Sequence, residues 1–315
     1  MVSLDAARTQ FVIDNVAFVF FGIAWYAFSA GLLRSIRFIR EDSRKPVLHL
    51  CALQCALGLV ATGLYTSAVM PAIPASCTLV MQLSHACYSL SYLCIISILL
   101  IKSYCANRRS RSVLVVGSFI LILNAAVLAF AAETMRVEET PLGCMLSYST
   151  LYNIIRLTVD LATNLFLSIS ILAAVWQQTR NTEWVPDARA LYRLLLQDGL
   201  IYGLTACSTA GASAVIALHD WMDGRTSIAY ATNWVIASTL VVYQLHSART
   251  SRSQTRLLMQ QTRSTTSTPL QPTLGAIDYT RPDSAYTRTS HSRRSTIFDD
   301  WRLCLPDEET LSLSR

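Results

Sequence analysis

The stretch LYNIIRLTVDLATNLFLSISILAAVW, residues 151–176, is apolar along most of its length, yet it carries Arg156 and, four residues on, Asp160. On a water-soluble helix the two would form an ordinary surface ion pair. In hydrocarbon each charge costs ~2.5–3.5 kcal/mol on insertion scales and faces the bundle interior or a watery cavity. Which solvent surrounds this run therefore decides the fold.

The rest of the chain points to lipid. Of 315 residues 52% are hydrophobic and only 15% charged, and the mean hydropathy is +0.38. Spanning a hydrocarbon layer takes roughly 20 helical residues. Seven runs are long enough: 10–33, 47–70, 78–101, 113–132, 151–176, 194–218 and 226–246. Backbone groups in lipid are satisfied within the segment, and apolar runs this continuous are helical rather than the alternating ~10-residue strands of an outer-membrane barrel. The expected fold is all-α, a seven-transmembrane-helix bundle.

The basic residues orient it. Arg34, Arg37, Arg40, Arg44 and Lys45 follow the first run, and Lys102, Arg108, Arg109 and Arg111 follow the third. Arg180, Arg189 and Arg193 separate the fifth and sixth, and Arg249, Arg252 and Arg256 follow the seventh. Those fifteen stand against Arg8, Arg136 and Arg225 on the other side. The bias places the amino terminus, residues 1–9, outside and the carboxyl terminus in the cytosol of a plasma membrane or endomembrane. The opening MVSLDAARTQ is too polar for a cleavable leader, so the first helix is expected to act as its own insertion signal.

Among nine cysteines, Cys51, Cys55, Cys87, Cys94 and Cys207 fall inside apolar runs, and Cys105 and Cys304 on the reducing inner side. Cys77, at the outer mouth of the third run, and Cys144, in the longest outer loop, are the two expected in an oxidising compartment. That points to a bridge between them, two unpaired thiols being the alternative.

With these features the chain resembles the heptahelical receptor superfamily, the G-protein-coupled receptors and their relatives, over residues 10–246. The resemblance rests on seven helices, an outside amino terminus, a cysteine opening the third helix and a second cysteine in the second outer loop. It implies that Cys77 and Cys144 tie that loop over a ligand cavity. The chain departs from the rhodopsin-like pattern in three places. The third run ends LLIKSYCANRR without an Asp/Glu-Arg-Tyr triplet, the seventh ends VVYQLHSART without Asn-Pro-x-x-Tyr, and the sixth has no proline.

Other heptahelical chemistries lack their residues. A retinal Schiff base needs a lysine in the seventh run, and the chain's lysines are Lys45 and Lys102. A zinc hydrolase needs clustered ligands, whereas His49, His85, His219, His246 and His291 are scattered singly. No cofactor, metal site or enzymatic activity is expected. The net charge of +6 follows from the inner loops and their attraction to anionic membrane lipids, so nucleic acid is not implied as a partner.

Arg156 and Asp160, spaced for an i, i+4 pair, continue through Asn164 and Ser168 as a polar stripe. At ~1.5 Å per residue, Asp160, His85, Thr209 and Asn233 lie at similar depth in the outer half of the bundle. With Tyr88 they are the candidate ligand-binding residues, and Tyr92 and Ser213 are candidate cavity walls. Two readings stay open: the pair lines a small-molecule site, or it fixes helix packing with the others as interhelical hydrogen bonders.

From residue 247 to 315, 23 of 69 residues are Ser or Thr. Such a segment does not bury enough surface to fold alone, so it is expected to be a disordered cytosolic tail that docks signalling or regulatory proteins. Thr296, following Arg293 and Arg294, is the phosphorylation candidate. The functional expectation is a receptor-like protein that senses a small ligand and signals through its inner loops and tail. A small-solute transporter or channel and a non-signalling scaffold are the alternatives. Protease applied to intact cells is expected to remove a tag at residue 1 and spare one at residue 315; a tail cut from outside reverses the orientation.

Overall fold

The computed structural model describes residues 4–41, 43, 45–69, 76–107, 109–140, 143–181 and 230–245, with positions 204–205, 208–209, 211–212 and 215. Most of the sixth run, the whole tail and Thr296 lie outside the described residues. Five helices follow in order: α1 (Leu4–Glu41), α2 (Pro46–Val69), α3 (Cys77–Ala106), α4 (Arg111–Thr134) and α5 (Thr150–Asn181). Each contains a segment long and apolar enough to cross a membrane, and residues 230–245 are helical as well. The chain is a multi-pass membrane protein.

Its surface carries the same message. On α4 the side chains of Val115, Phe119 and Ile122 are 65–68% exposed. An apolar belt of that kind is stable against acyl chains and a liability in water. The interior is built around α3, half of whose span is buried, against 22% for α4. α3 packs on α2, α4 and α5, and α1 packs on α2. A core of Phe28, Cys55, Ile95, Leu99, Trp234 and Val241 joins α1, α2 and α3 to the 230–245 segment.

Three sequence expectations need correction: the extent of α1, the extent of α3 and the state of Cys105. α1 is 38 residues long, roughly 57 Å at 1.5 Å per residue, so it overruns the predicted 10–33 at both ends. Arg34, Arg37 and Arg40, expected in a loop, belong to its final turns. No glycine or proline intervenes between Gly31 and Pro46, so nothing stops the helix at the membrane surface, and basic groups suit the negative end of its dipole. For the same reason α3 runs past Ile101, the predicted end, through Lys102 to Ala106. Cys105, read from sequence as a reduced thiol of the inner side, is disulfide-bonded.

The segment between α4 and α5, expected as an outer loop, forms a hairpin. β1 (Arg136–Thr140) pairs antiparallel with β2 (Gly143–Ser147), Glu139 opposite Cys144 and Val137 opposite Leu146. Period-two alternation, short enough to hide in a polar stretch, puts Cys144, Leu146 and the half-buried Val137 on one face while Glu138 on the other is exposed. Cys144 is bonded to Cys77 at the start of α3, with Cα atoms 5.6 Å apart, which is the bridge expected from sequence. Leu146 packs with Met81 and Ala68, so the hairpin is pinned to α2 and α3 by both covalent and apolar contact. The bridge closes a loop with a separation of 67 residues, and disulfides of this kind contribute about 2–4 kcal/mol. Cys77→Ser and Cys144→Ser are expected to lower the thermal midpoint equally, with the double variant no worse than either; additive losses would show that the thiols act independently.

Candidate functional site

The polar stripe of α5 faces inward throughout. Arg156 and Asp160 are 1% and 3% exposed, and Asn164 and Ser168 are buried below them. Arg156 Nε lies 2.9 Å from Asp160 Oδ2. Tyr92 of α3 donates its hydroxyl to Asp160 Oδ1 at 3.0 Å, and the Arg156 guanidinium carbon sits 4.3 Å from the centre of the Tyr92 ring. One tyrosine thus serves both charges, its hydroxyl facing the anion and its ring face the cation. Oriented this way, Tyr92 also ties α3 to α5.

The guanidinium is less well served than the carboxylate. Among the described residues none of its three nitrogens has a partner in aligned hydrogen-bond geometry, although all are buried and Nε touches the Asp160 carboxylate. The approach to Asp160 is therefore an ion contact without aligned N–H geometry. A buried donor without a partner costs about 1–3 kcal/mol, and more when it is charged.

On the hairpin side of the pair lies a cavity of about 60 Å³. Its walls are largely aromatic: Tyr65, Tyr88, Tyr148, Tyr152, Tyr230 and Trp234, with His85 among them. The hairpin contributes Leu146 from above. Tyr152 stands one turn from Arg156 on α5, and Tyr88 stacks on Tyr92 with centroids 6.3 Å apart. The cavity and the ion pair thus share the Tyr88–Tyr92 wall.

His85 is fully engaged. Tyr148, just before α5, lies with its hydroxyl 3.1 Å from His85 Nδ1, while His85 Nε2 is 3.4 Å from the Leu128 carbonyl. Desolvation holds the Tyr148 phenol well above its ordinary range. It stays protonated and donates to Nδ1, which fits the Nε2–H tautomer donating to Leu128.

The six candidate residues fall into three places. His85 and Tyr88 line the cavity; Arg156 and Asp160 lie behind its wall; Thr209 and Asn233 bond each other instead, Thr209 Oγ1 donating to Asn233 Oδ1 at 2.7 Å. Ser213 lies outside the described residues. Equal depth did not make the four polar groups converge, because depth leaves rotation about each helix axis undetermined. Tyr65, Tyr148, Tyr152 and Tyr230 were missed. Aromatic residues near helix ends are common in any membrane protein as interfacial anchors, so their presence in sequence carried no sign of a shared wall.

A separate polar seam lies deeper. The Gln54 side-chain amide of α2 donates to Ser238, Ser91 donates to the Gln54 main-chain carbonyl at 3.0 Å, and Trp234 Nε1 donates to Ser91 at 3.1 Å. This seam holds α2, α3 and the 230–245 segment in register. Asn124 of α4 likewise donates to Thr163 of α5 at 2.9 Å.

Compared with family models and with curated proteins, the chain matches none.

Removing one member of a buried ion pair strands the other. Arg156→Leu or Asp160→Leu alone is expected to cost about 3–5 kcal/mol, whereas the double replacement costs less than either single one. Thermal unfolding of the purified proteins reads this directly, and additive losses would mean that the two charges are not coupled.

Proposed function

We propose that this chain is a seven-helix, receptor-like membrane protein, distantly akin to the G-protein-coupled receptors. Its amino terminus faces outside, and it senses a small molecule in the outer half of the bundle. The inner loops and the Ser/Thr-rich tail carry the signal to cytosolic proteins. One observation carries the reading: an aromatic-walled cavity lies beneath a disulfide-tied hairpin, against a buried charge pair. Small-molecule sites between helices are mostly apolar with a few convergent polar groups, and this composition fits.

The cavity's size sets the mode of binding. About 60 Å³ holds a few waters, whereas drug-sized ligands occupy roughly 300–1,000 Å³. Ligand entry therefore goes with rotation of wall side chains. Tyr88, half-buried and held by ring contacts to His85, Tyr92 and Trp234, is the side chain whose movement joins the cavity to the ion pair. Its contacts reach α5 through Tyr92 and the 230–245 segment through Trp234, so displacing it bears on helices that extend to the inner side.

A thermal-stability screen of small molecules on the purified protein tests the reading. A true ligand at 100 times its Kd adds about 2.7 kcal/mol, and this gain is expected to vanish in Ala231→Phe, which fills the cavity from its Ala231 wall. Solute uptake into proteoliposomes would replace the receptor by a transporter. Tail-dependent partner capture with no stabilising ligand would replace it by a scaffold.

A further inference from the structure

We infer that Arg156 is the ligand anchor of this pocket, and that the ligand presents an uncharged oxygen acceptor, the carbonyl of an amide, ester or ketone, on a small flat apolar body. This inference rests on the pocket reading above and names the ligand class. The starting observation is the guanidinium's unmet capacity. Nη1 and Nη2 are buried, and neither has a hydrogen-bond partner among the described residues. Their charge is balanced by Asp160 at 2.9 Å, but their N–H groups are not used.

Position links these groups to the cavity. The guanidinium lies over Tyr92, Tyr92 stacks with Tyr88, and Tyr88 is a cavity wall. Tyr152, another wall, stands one turn outward from Arg156 on the same face of α5. Swinging Tyr88 aside removes the side chain between the free volume and the unpaired donors.

The balance of donors and acceptors then selects the ligand. Asp160 already takes the Tyr92 hydroxyl on Oδ1 and faces Arg156 with Oδ2. Both ring nitrogens of His85 have partners. What the two Nη groups lack is an acceptor in hydrogen-bond geometry. A cationic ligand would meet a carboxylate already engaged, although the tyrosine rings alone offer it cation–π contact. A carboxylate ligand would satisfy the guanidinium fork but add an uncompensated charge to a site already neutral, inside a membrane span. A neutral carbonyl fills the donors without changing the charge balance. The aromatic walls suit a flat body beside it.

Four probes with one ring and different ends separate these cases: toluene, benzamide, benzoate and benzylamine. Their affinities are measured by ligand-observed NMR on the full-length protein in lipid nanodiscs, with empty nanodiscs as reference. Benzamide is expected to bind on the order of tenfold more tightly than the other three, the value of one hydrogen bond to a charged donor. Benzamide affinity in Arg156→Leu/Asp160→Leu is expected to fall to that of toluene in the same variant. Arg156→Lys, which keeps the charge beside Asp160 but removes the fork, is expected to lose most of the benzamide preference and serves if the double variant fails to fold. A benzamide preference that survives both replacements overturns the anchor. So does a lead for benzylamine, which would make the site an aromatic cage for cations, or a lead for benzoate, which would make it an anion site. Probe binding that Ala231→Phe blocks, but with no preference among the four ends, overturns the anchor and keeps the pocket. Absence of any binding that Ala231→Phe blocks removes the pocket reading, and the anchor with it.

Discussion

Hydrocarbon supplies no hydrogen bonds, and the polar architecture of this protein is arranged around that constraint. Backbone groups meet it by forming helices. Side chains meet it in pairs and short chains between helices: Tyr92 to Asp160, Gln54 to Ser238, Asn124 to Thr163. Each link joins a different pair of helices, so satisfying the polar groups and fixing the packing are one act. Individual interhelical hydrogen bonds in membranes contribute little, about 0.6 kcal/mol on average. Their weight lies in excluding alternative rotations of each helix, which would leave donors facing lipid.

Arg156 is where the constraint is met least completely. The guanidinium is neutralised in charge and cradled by an aromatic face, yet among the described residues its N–H groups have no acceptor in hydrogen-bond geometry. A buried polar group without a partner calls for one from outside the fold, a water or a ligand, and the proposed anchor takes the second of these. The neighbouring cavity and its tyrosine walls give that capacity a location. A packing role and a binding role are not exclusive here, since the arginine that stabilises Asp160 is also the one with donors left over.

The hairpin adds a second level of organisation. It is small, two strands of five residues, and an isolated hairpin of that size is marginal in water. The Cys77–Cys144 bond and the packing of Leu146 hold it against α2 and α3, and Tyr148 carries the connection down to His85. The hairpin end of the bundle is thereby closed by a structure with its own covalent tether. The cavity is bounded on one side by Leu146 of the hairpin and on another by Tyr88, whose neighbour Tyr92 meets the ion pair.

Hydropathy, charge and cysteine placement determined much by themselves. The first five apolar runs are helices, the buried face of α5 is the one carrying Arg156, Asp160, Asn164 and Ser168, and Cys77 and Cys144 are joined. These are local or compositional properties: span length follows from hydropathy, a helix face from spacing, and a bridge from which thiols share a compartment. Tertiary structure decided what depends on rotation and on distant neighbours. Depth along the chain grouped His85 with Thr209 and Asn233, but Asn233 turned to Thr209 and His85 to Tyr148. The period-two pattern of the hairpin was too short to stand out from a polar loop, and the aromatic wall draws on α2, α3, α5 and the 230–245 segment at once. A pocket of that kind exists only when each helix has its final azimuth, a quantity that one sequence, read one helix at a time, does not contain.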